Sequence, residues 1–415
     1  MTVARLGTAC VLAAVLCSAC DRAPRSDAAA GAVVDADSPP ELARSVERLI
    51  PDLERISGLD RRETLRVRWQ SRDEARAYVA ARLEHELPPE ELESLRRTYV
   101  ALGLLADTLD LRALLLDLYT EQVLGYYAPT ERTLFIVSGA EADEVQVIAH
   151  ELVHALQDQH TNLDSLVAPD RGNDRQTAAH AALEGHAMLV MITLLAERAA
   201  GRTVDPVSLQ PPALDQEEAM AAQEAEFPVF RRAPRIVRET LLFPYIEGAA
   251  FVHALWRSRA PLPRYPAPLD SLMPQSTEQV MDPEDHFIRE RDEPMSVPLD
   301  AAPAGWRVLR DDELGQLEMG IFLAHHLDDA ARAAAEGWEG DRYALLEAPA
   351  GGEALDWTSL WETPAHADRF AAAVARTAGL TDRTVSVVRG ERHGRAAVRV
   401  IIATAGTDIA PLLTR

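Results

Sequence analysis

The chain has 415 residues, of which 47% are hydrophobic, and this predicts a globular fold with a substantial core. Its formal net charge of −24 argues against binding to nucleic acid and against a polybasic membrane patch. All the cysteines precede residue 21, so the rest of the chain can form neither a disulfide nor a thiolate metal site. Any metal must therefore be bound by His, Asp or Glu.

The N-terminal segment is typical of an export signal. Its run GTACVLAAVLCSA has about 13 apolar residues, too few for the ~20 that span a bilayer. LCSAC resembles the lipobox of bacterial lipoproteins, although Cys17 stands where an aliphatic residue is usual. We therefore expect a signal peptide at 1–19, a lipidated Cys20 with a flexible tether at 20–40, and anchoring to a membrane of the cell envelope. The alternative is ordinary cleavage near Ala19, with release of the exported protein.

The period of the apolar residues predicts the elements that follow. Three- and four-residue spacing favours helices from 41 to about 123. The runs VLGYY and LFIV, on either side of a turn containing Pro129, predict a hairpin at 123–137. Helical spacing returns at 141–160 and at 176–200.

Two Pro-rich segments, 201–235 and 261–303, are predicted to be irregular and to flank a helix at 238–259 that Pro244 interrupts. The last hundred residues alternate in type. Their patterns predict, in chain order, a helix at 317–338, a strand at 341–348, a helix at 364–377 and strands at 384–390 and 396–406.

The overall expectation is a predominantly helical α+β fold with a small antiparallel sheet. We place one domain at 41–300 and a small α+β region at 301–415, which could cover or narrow a cleft of the first domain.

The stretch VIAHELVHALQDQH contains the residues of a metal centre. On a helix, His150 and His154 are one turn apart on the same face, so both imidazoles can converge on one cation. Glu151 is rotated by about 100° from His150, which directs it towards a water on the metal rather than the metal itself. This HExxH arrangement predicts a Zn²⁺ site with Glu151 as general base and acid. The alternative is a buried helix whose histidines are merely hydrogen-bonded.

Two residues compete to be the third ligand. His160 has the spacing of the metzincin extension, but Gln157 occupies the position of the glycine that turns that chain out of its helix. Glu184, 34 residues after His150 on the next predicted helix, can complete a His₂Glu shell and leave the fourth position for water. We favour Glu184 as the third ligand. The set of His150, His154 and Glu184 resembles that of the gluzincin zinc metallopeptidases, and the string LEGHA around Glu184 resembles the third-ligand motif of that clan.

Longer strings extend the resemblance over residues 120–370. HELVHALQDQH, ALEGHA, FPYIEGAAFV, STEQVMDP and GWEGDRY resemble those of a family of uncharacterised bacterial exported proteins regarded as HExxH metallopeptidases. The resemblance implies a zincin-like core around a zinc site and says little about the substrate.

Other residues are candidates for supporting roles. Tyr245, His253 and Tyr127 could donate hydrogen bonds to a developing oxyanion or contact substrate. Two residues could support the ligands from the second shell: Asp158, one turn after His154, could accept the free ring N–H of that ligand, and Gln157, seven residues after His150, lies on the same face.

The sequence thus predicts an exported zinc metallopeptidase that hydrolyses polypeptides. Two alternatives remain open. One is a catalytically inactive zincin-fold lipoprotein that serves as a binding or scaffold module. The other is a zinc hydrolase that acts on a different amide of the cell envelope.

Overall fold

The structure of the protein, a computed structural model, describes residues 33–34, 40–138, 144–166, 168–209, 216–378 and 382–414. The predicted signal peptide, Cys20 and most of the tether lie outside the described residues.

Most of the described chain is helical. The helices are α1 (Pro40–Ser57), α2 (Arg72–Glu86), α3 (Pro89–Ala101), α4 (Leu111–Gln122), α5 (Glu144–His160), α6 (Leu163–Leu166), α7 (Asn173–Ala200), α8 (Gln216–Glu226), α9 (Pro228–Arg232), α10 (Arg235–Ser258), α11 (Thr277–Met281), α12 (Gly315–His326), α13 (Pro364–Thr377) and α14 (Ala410–Leu413). Short 3₁₀ turns lie at Pro169–Arg171, Pro206–Ser208, Asp270–Leu272 and Asp329–Ala335, and a π-helical turn lies at Glu284–Arg289.

The strands form two sheets. They are β1 (Val33–Val34), β2 (Arg66–Gln70), β3 (Gly125–Ala128), β4 (Thr133–Val137), β5 (Arg307–Asp312), β6 (Trp338–Glu347), β7 (Glu353–Trp361), β8 (Thr384–Arg392) and β9 (Arg395–Ala403). The expectation of a mostly helical α+β protein with small antiparallel pairings is confirmed.

The first sheet has the order β1-β2-β4-β3, which places β3 at an edge. β3 and β4 form the predicted antiparallel hairpin, with Tyr127 opposite Leu134. β2 joins β4 in parallel, which the helical pattern around it did not predict. A Cβ at Gly125 would lie 2.6 Å from the Val147 side chain, so the absence of a side chain there lets α5 pack directly on the edge strand.

Helices α5, α7 and α10 pack together in the core, and two glycines allow α7 and α10 to cross closely. A Cβ at Gly185 would lie 1.9 Å from the carbonyl carbon of Gly248. A Cβ at Gly248 would lie 2.0 Å from the carbonyl oxygen of Ala181. Backbone therefore packs against backbone, next to the candidate ligand Glu184.

Two sequence predictions in this part were wrong. Pro244 does not interrupt its helix, because α10 runs unbroken through it from Arg235 to Ser258. Both faces of α10 around Pro244 are buried, and packing offsets the hydrogen bond that proline cannot donate. The two segments predicted to be irregular contain helices: α8 and α9 lie in 201–235, and the buried helix α11 lies in 261–303.

The second sheet is antiparallel throughout, in the order β5-β6-β7-β9-β8, with α13 packed against it. Strands β6, β8 and β9 were predicted, whereas β5 and β7 were not. Asp341 of β6 is buried and accepts hydrogen bonds from the backbone N–H groups of Leu314 and Gly315 and from the indoles of Trp338 and Trp357. It thereby caps the first turn of α12 and ties the sheet to it.

One described helix, α7, has the length and composition to cross a membrane. In the fold, 83% of its most apolar window is buried within the protein.

Candidate metal centre

The cluster is formed by two adjacent helices. α5 presents His150 and His154 one turn apart, and α7 presents Glu184 opposite them. His150 Nε2 lies 3.0 Å from Glu184 Oε2, and His154 Nε2 lies 3.1 Å from His150 Nε2 and 3.4 Å from Glu184 Oε2. All three side chains have no exposed surface. Three ligand atoms thus converge on one buried point.

This geometry fits a divalent metal ion. In a tetrahedral zinc site with bonds of 2.0–2.1 Å, ligand atoms are roughly 3.3–3.4 Å apart, close to the separations seen here. His150, His154 and Glu184 are one of two described groups whose His and carboxylate ligand atoms lie within 4.8 Å of one another. Burial alone would raise the pKa of Glu184, but the neighbouring histidines hold that pKa well below its usual value. The carboxylate is therefore kept in its ligand form.

Glu151 lies beside the cluster without joining it. It is fully buried, and neither carboxylate oxygen has a hydrogen-bond partner among the described residues. Burial raises the pKa of Glu151 to about 8, although the charge of neighbouring His154 opposes the rise. An unsatisfied buried carboxyl is costly, so its position next to two metal ligands points to a group that interacts with a bound species.

A chain of hydrogen bonds orients His154. Its Nδ1 lies 2.9 Å from Gln157 Oε1, and Gln157 Nε2 donates to the Leu183 carbonyl at 3.0 Å. Because a carbonyl can only accept, the orientation of the Gln157 amide is determined, and His154 Nδ1 must be the donor. The lone pair of His154 Nε2 is then directed at the cluster, as a metal ligand requires.

The same chain continues to His186 of α7. Gln157 Nε2 lies 3.0 Å from His186 Nδ1, and His186 Nε2 lies 3.0 Å from the Ser57 carbonyl, to which it donates. Burial lowers the pKa of His186 to about 3, so the ring is neutral and its Nδ1 can accept. Gln157 therefore links both helices of the cluster to α1. Asp158, expected in this role, instead accepts a hydrogen bond from the Tyr127 hydroxyl at 3.0 Å.

Of the remaining residues that the sequence suggested for the site, only some lie near the cluster. Tyr245 lies near the cluster, with its ring centroid 6.3 Å from that of His150. The Tyr127 hydroxyl is directed to Asp158. His253 is eight residues beyond Tyr245 on α10, about 12 Å along the axis, and lies beside the Val207 backbone. His160 ends α5, where its Nε2 lies 2.7 Å from the Asp60 carbonyl, and it takes no part in the cluster.

A mostly apolar cavity of about 210 Å³ lies next to the cluster, between α3, α4 and α10. Its lining includes Leu95, Leu115, Leu241 and the rings of Tyr245 and His180.

His180 connects this cavity to the metal centre, because its Nε2 lies 3.3 Å from Glu184 Oε1. The sequence spacing indicated that His180, one turn before Glu184, could lie near the metal centre. No sequence pattern indicated the cavity. The cavity forms where segments that are distant in the chain meet.

A family model matches the C-terminal part of the chain. Residues 306–409 match the model of a family described as a domain of unknown function (DUF8575). This segment contains the antiparallel sheet and α13 and excludes the metal cluster. No curated protein and no solved structure shows significant similarity to the chain.

Proposed function

We propose that the protein is a zinc-dependent metallopeptidase of gluzincin type with a zincin-like core. The observation that carries this proposal is the cluster of His150, His154 and Glu184, with their ligand atoms 3.0–3.4 Å apart and the unpartnered carboxyl of Glu151 beside them. Zn²⁺ bound there would supply a Lewis acid that polarises a peptide carbonyl and acidifies a water.

The side chains of the protein have distinct tasks in this proposal. Glu151 accepts the proton of the attacking water and delivers it to the leaving amine. Tyr245 and His180, at the junction of cluster and cavity, would stabilise negative charge on the carbonyl oxygen. Gln157 keeps His154 in the tautomer that presents Nε2 to the metal.

A polypeptide is the substrate class that the surroundings favour. β3 is an edge strand against α5, and such an edge can pair with an extended peptide backbone. The apolar cavity offers room for a large apolar side chain of that peptide. We further propose that lipidation at Cys20 holds the enzyme at the surface of a membrane in the cell envelope.

Zinc stoichiometry tests the ligand set. Elemental analysis of wild type, His154→Ala, Glu184→Ala and His160→Ala should show bound zinc at this centre that is lost with His154 or Glu184. His160→Ala serves as the matched control on the same helix and should keep it. Loss of this zinc from His160→Ala and its retention by Glu184→Ala would exclude the gluzincin shell.

Glu151→Gln separates catalysis from binding. We expect this variant to keep its zinc and to cleave a proteome-derived peptide library at least 10²-fold more slowly, because a general base contributes about 10²–10⁴ in rate. A scaffold protein would show no cleavage in wild type either. Cleavage of peptidoglycan stem amides but not of peptides would favour the alternative envelope hydrolase.

A further inference from the structure

A second group of possible ligands lies outside the catalytic cluster, in the segment that follows α10. His286 Nδ1 lies 3.3 Å from Asp292 Oδ2 and 4.0 Å from Glu278 Oε2. One ligand atom from each residue lies within 4.8 Å of the others. Glu278 comes from α11, His286 from the π-helical turn, and Asp292 from the loop after it.

The local backbone holds these residues together. The N–H of Asp292 donates to the His286 carbonyl at 3.0 Å, which closes the intervening loop. The Gln279 side chain donates to the Asp292 carbonyl. Thr277, at the start of α11, donates its backbone N–H and its hydroxyl to Asp174 at the first turn of α7. The cluster is therefore a built feature of the fold.

An ion pair with His286 does not account for the environment of Glu278. Glu278 is 3% exposed, and its Oε1 has no hydrogen-bond partner among the described residues. The other carboxylate oxygen of Glu278, Oε2, lies 4.0 Å from His286 Nδ1, which is beyond hydrogen-bond distance. Burial, with nearby Asp292 and other carboxylates, raises the pKa of Glu278 to about 9. The buried and unpartnered oxygen of Glu278 is therefore a candidate ligand atom for a cation.

Further carboxylates surround the group. Glu362, Asp174 and Glu339 also act on Glu278. Glu339 is paired with Arg395 at 2.8 Å, and Glu362 lies 3.3 Å from His366 Nδ1. The excess of negative charge favours a cation, and a mixture of one imidazole with carboxylate oxygens suits Zn²⁺ or Mn²⁺ better than Ca²⁺. His286 and Asp292 are partly exposed, which gives an ion access from solvent.

We propose that Glu278, His286 and Asp292 form a second cation site, which binds a divalent transition-metal ion and fixes the 277–292 segment beside the C-terminal sheet. The site is structural, since it shares no residue with the HExxH cluster. It is independent of the peptidase proposal.

Ion counting on the full-length protein tests the site. Wild type dialysed against Zn²⁺ should hold two ions per chain. His154→Ala should hold one, Glu278→Gln should hold one, and the double variant should hold none. In calorimetric titrations of His154→Ala with Zn²⁺ or Mn²⁺, adding Asp292→Asn should weaken binding at least tenfold. Adding Asp285→Asn, an exposed carboxylate on the same turn, should leave the affinity unchanged.

Thermal unfolding gives a readout that does not depend on catalysis. Zn²⁺ or Mn²⁺ should raise the Tm of His154→Ala, and Glu278→Gln should abolish this rise. Absence of any ion from His154→Ala, with an unchanged Tm in Zn²⁺ and Mn²⁺, would overturn the proposal. The three residues would then be a cluster held by protonation and ion pairs alone. Retention of full affinity by both Glu278→Gln and Asp292→Asn would do the same. If the proposed catalytic centre binds no zinc, wild type and His154→Ala should instead hold the same single ion.

Discussion

Gln157 shows how a single neutral side chain can orient a candidate metal ligand. Carboxylates often receive the second ring N–H of a ligand histidine, but here an amide does so. The amide has an advantage at this position, because its nitrogen can also donate to Leu183 and His186. A carboxylate could satisfy neither acceptor.

At the residue scale, we expect Gln157→Ala to weaken zinc binding about 10- to 100-fold, since the tautomer and orientation of His154 are no longer fixed. Competition with a chromogenic chelator measures this affinity. Gln159→Ala is the matched control. Gln159 is also on α5 but accepts hydrogen bonds from the backbone of Arg62 and Glu63, so its loss should reduce stability and leave zinc affinity unchanged. Equal zinc affinity in the two variants would contradict this role of Gln157.

At the scale of elements, the crossing of α7 and α10 sets the position of Glu184. Gly248→Ala would place a methyl group against the α7 backbone, where no side chain can move aside. We expect a loss of about 1–3 kcal/mol in the free energy of unfolding, together with weaker zinc binding. Urea denaturation and chelator competition measure the two effects. Gly390→Ala, whose added Cβ would meet no atom within 4 Å, should change neither.

The cavity between α3, α4 and α10 yields a prediction about specificity. Leu115→Trp should fill part of this space and lower kcat/KM for peptides with large apolar side chains by about tenfold or more. Peptides with small side chains at the same position should be cleaved as before, and the zinc content should not change. A uniform loss for all peptides would show that the cavity does not select the substrate side chain.

At the scale of the whole molecule, the C-terminal region is attached through buried polar contacts to the helices around the candidate metal centre. Glu318 of α12 accepts hydrogen bonds from the Tyr99 hydroxyl of α3 at 2.8 Å and from the Asn173 amide of α7 at 2.9 Å. His326 lies 2.7 Å from the Leu102 carbonyl. The segment 306–409, which matches a domain of unknown function, thus shares a polar interface with the helices around the metal centre.

Glu318 makes the stability of this interface depend on pH. Burial raises the pKa of Glu318 to about 7, above the 4.5 expected in the unfolded chain. The folded state therefore binds more protons between these values, and its stability falls as the pH rises through about 7.

Glu318→Gln keeps both accepted hydrogen bonds without the charge. We expect its free energy of unfolding, relative to wild type, to increase by about 1–3 kcal/mol between pH 5 and pH 8. Urea denaturation at the two pH values measures the change. The exposed Glu336→Gln should show no such increase, and an identical response of the two variants would contradict the prediction.

Sequence alone was sufficient wherever a local period determines geometry. The i and i+4 spacing of His150 and His154 places both rings on one helical face, and an apolar helical pattern around Glu184 predicted a second helix that could face them. The hairpin at 123–137 likewise has its strands and turn within one short stretch. These features arise from contacts close in the chain, so residue spacing is enough to predict them.

The tertiary structure decided everything that depends on residues far apart in the chain. The links from Gln157 to α7, the cavity, and the C-terminal carboxylates that act on Glu278 all needed helix packing to be known. β5 and β7 pair with strands whose own positions are set by the sheet, and α10 passes through Pro244 because packing outweighs one lost hydrogen bond. Burial and pairing are properties of the assembled core, and a local pattern does not contain them.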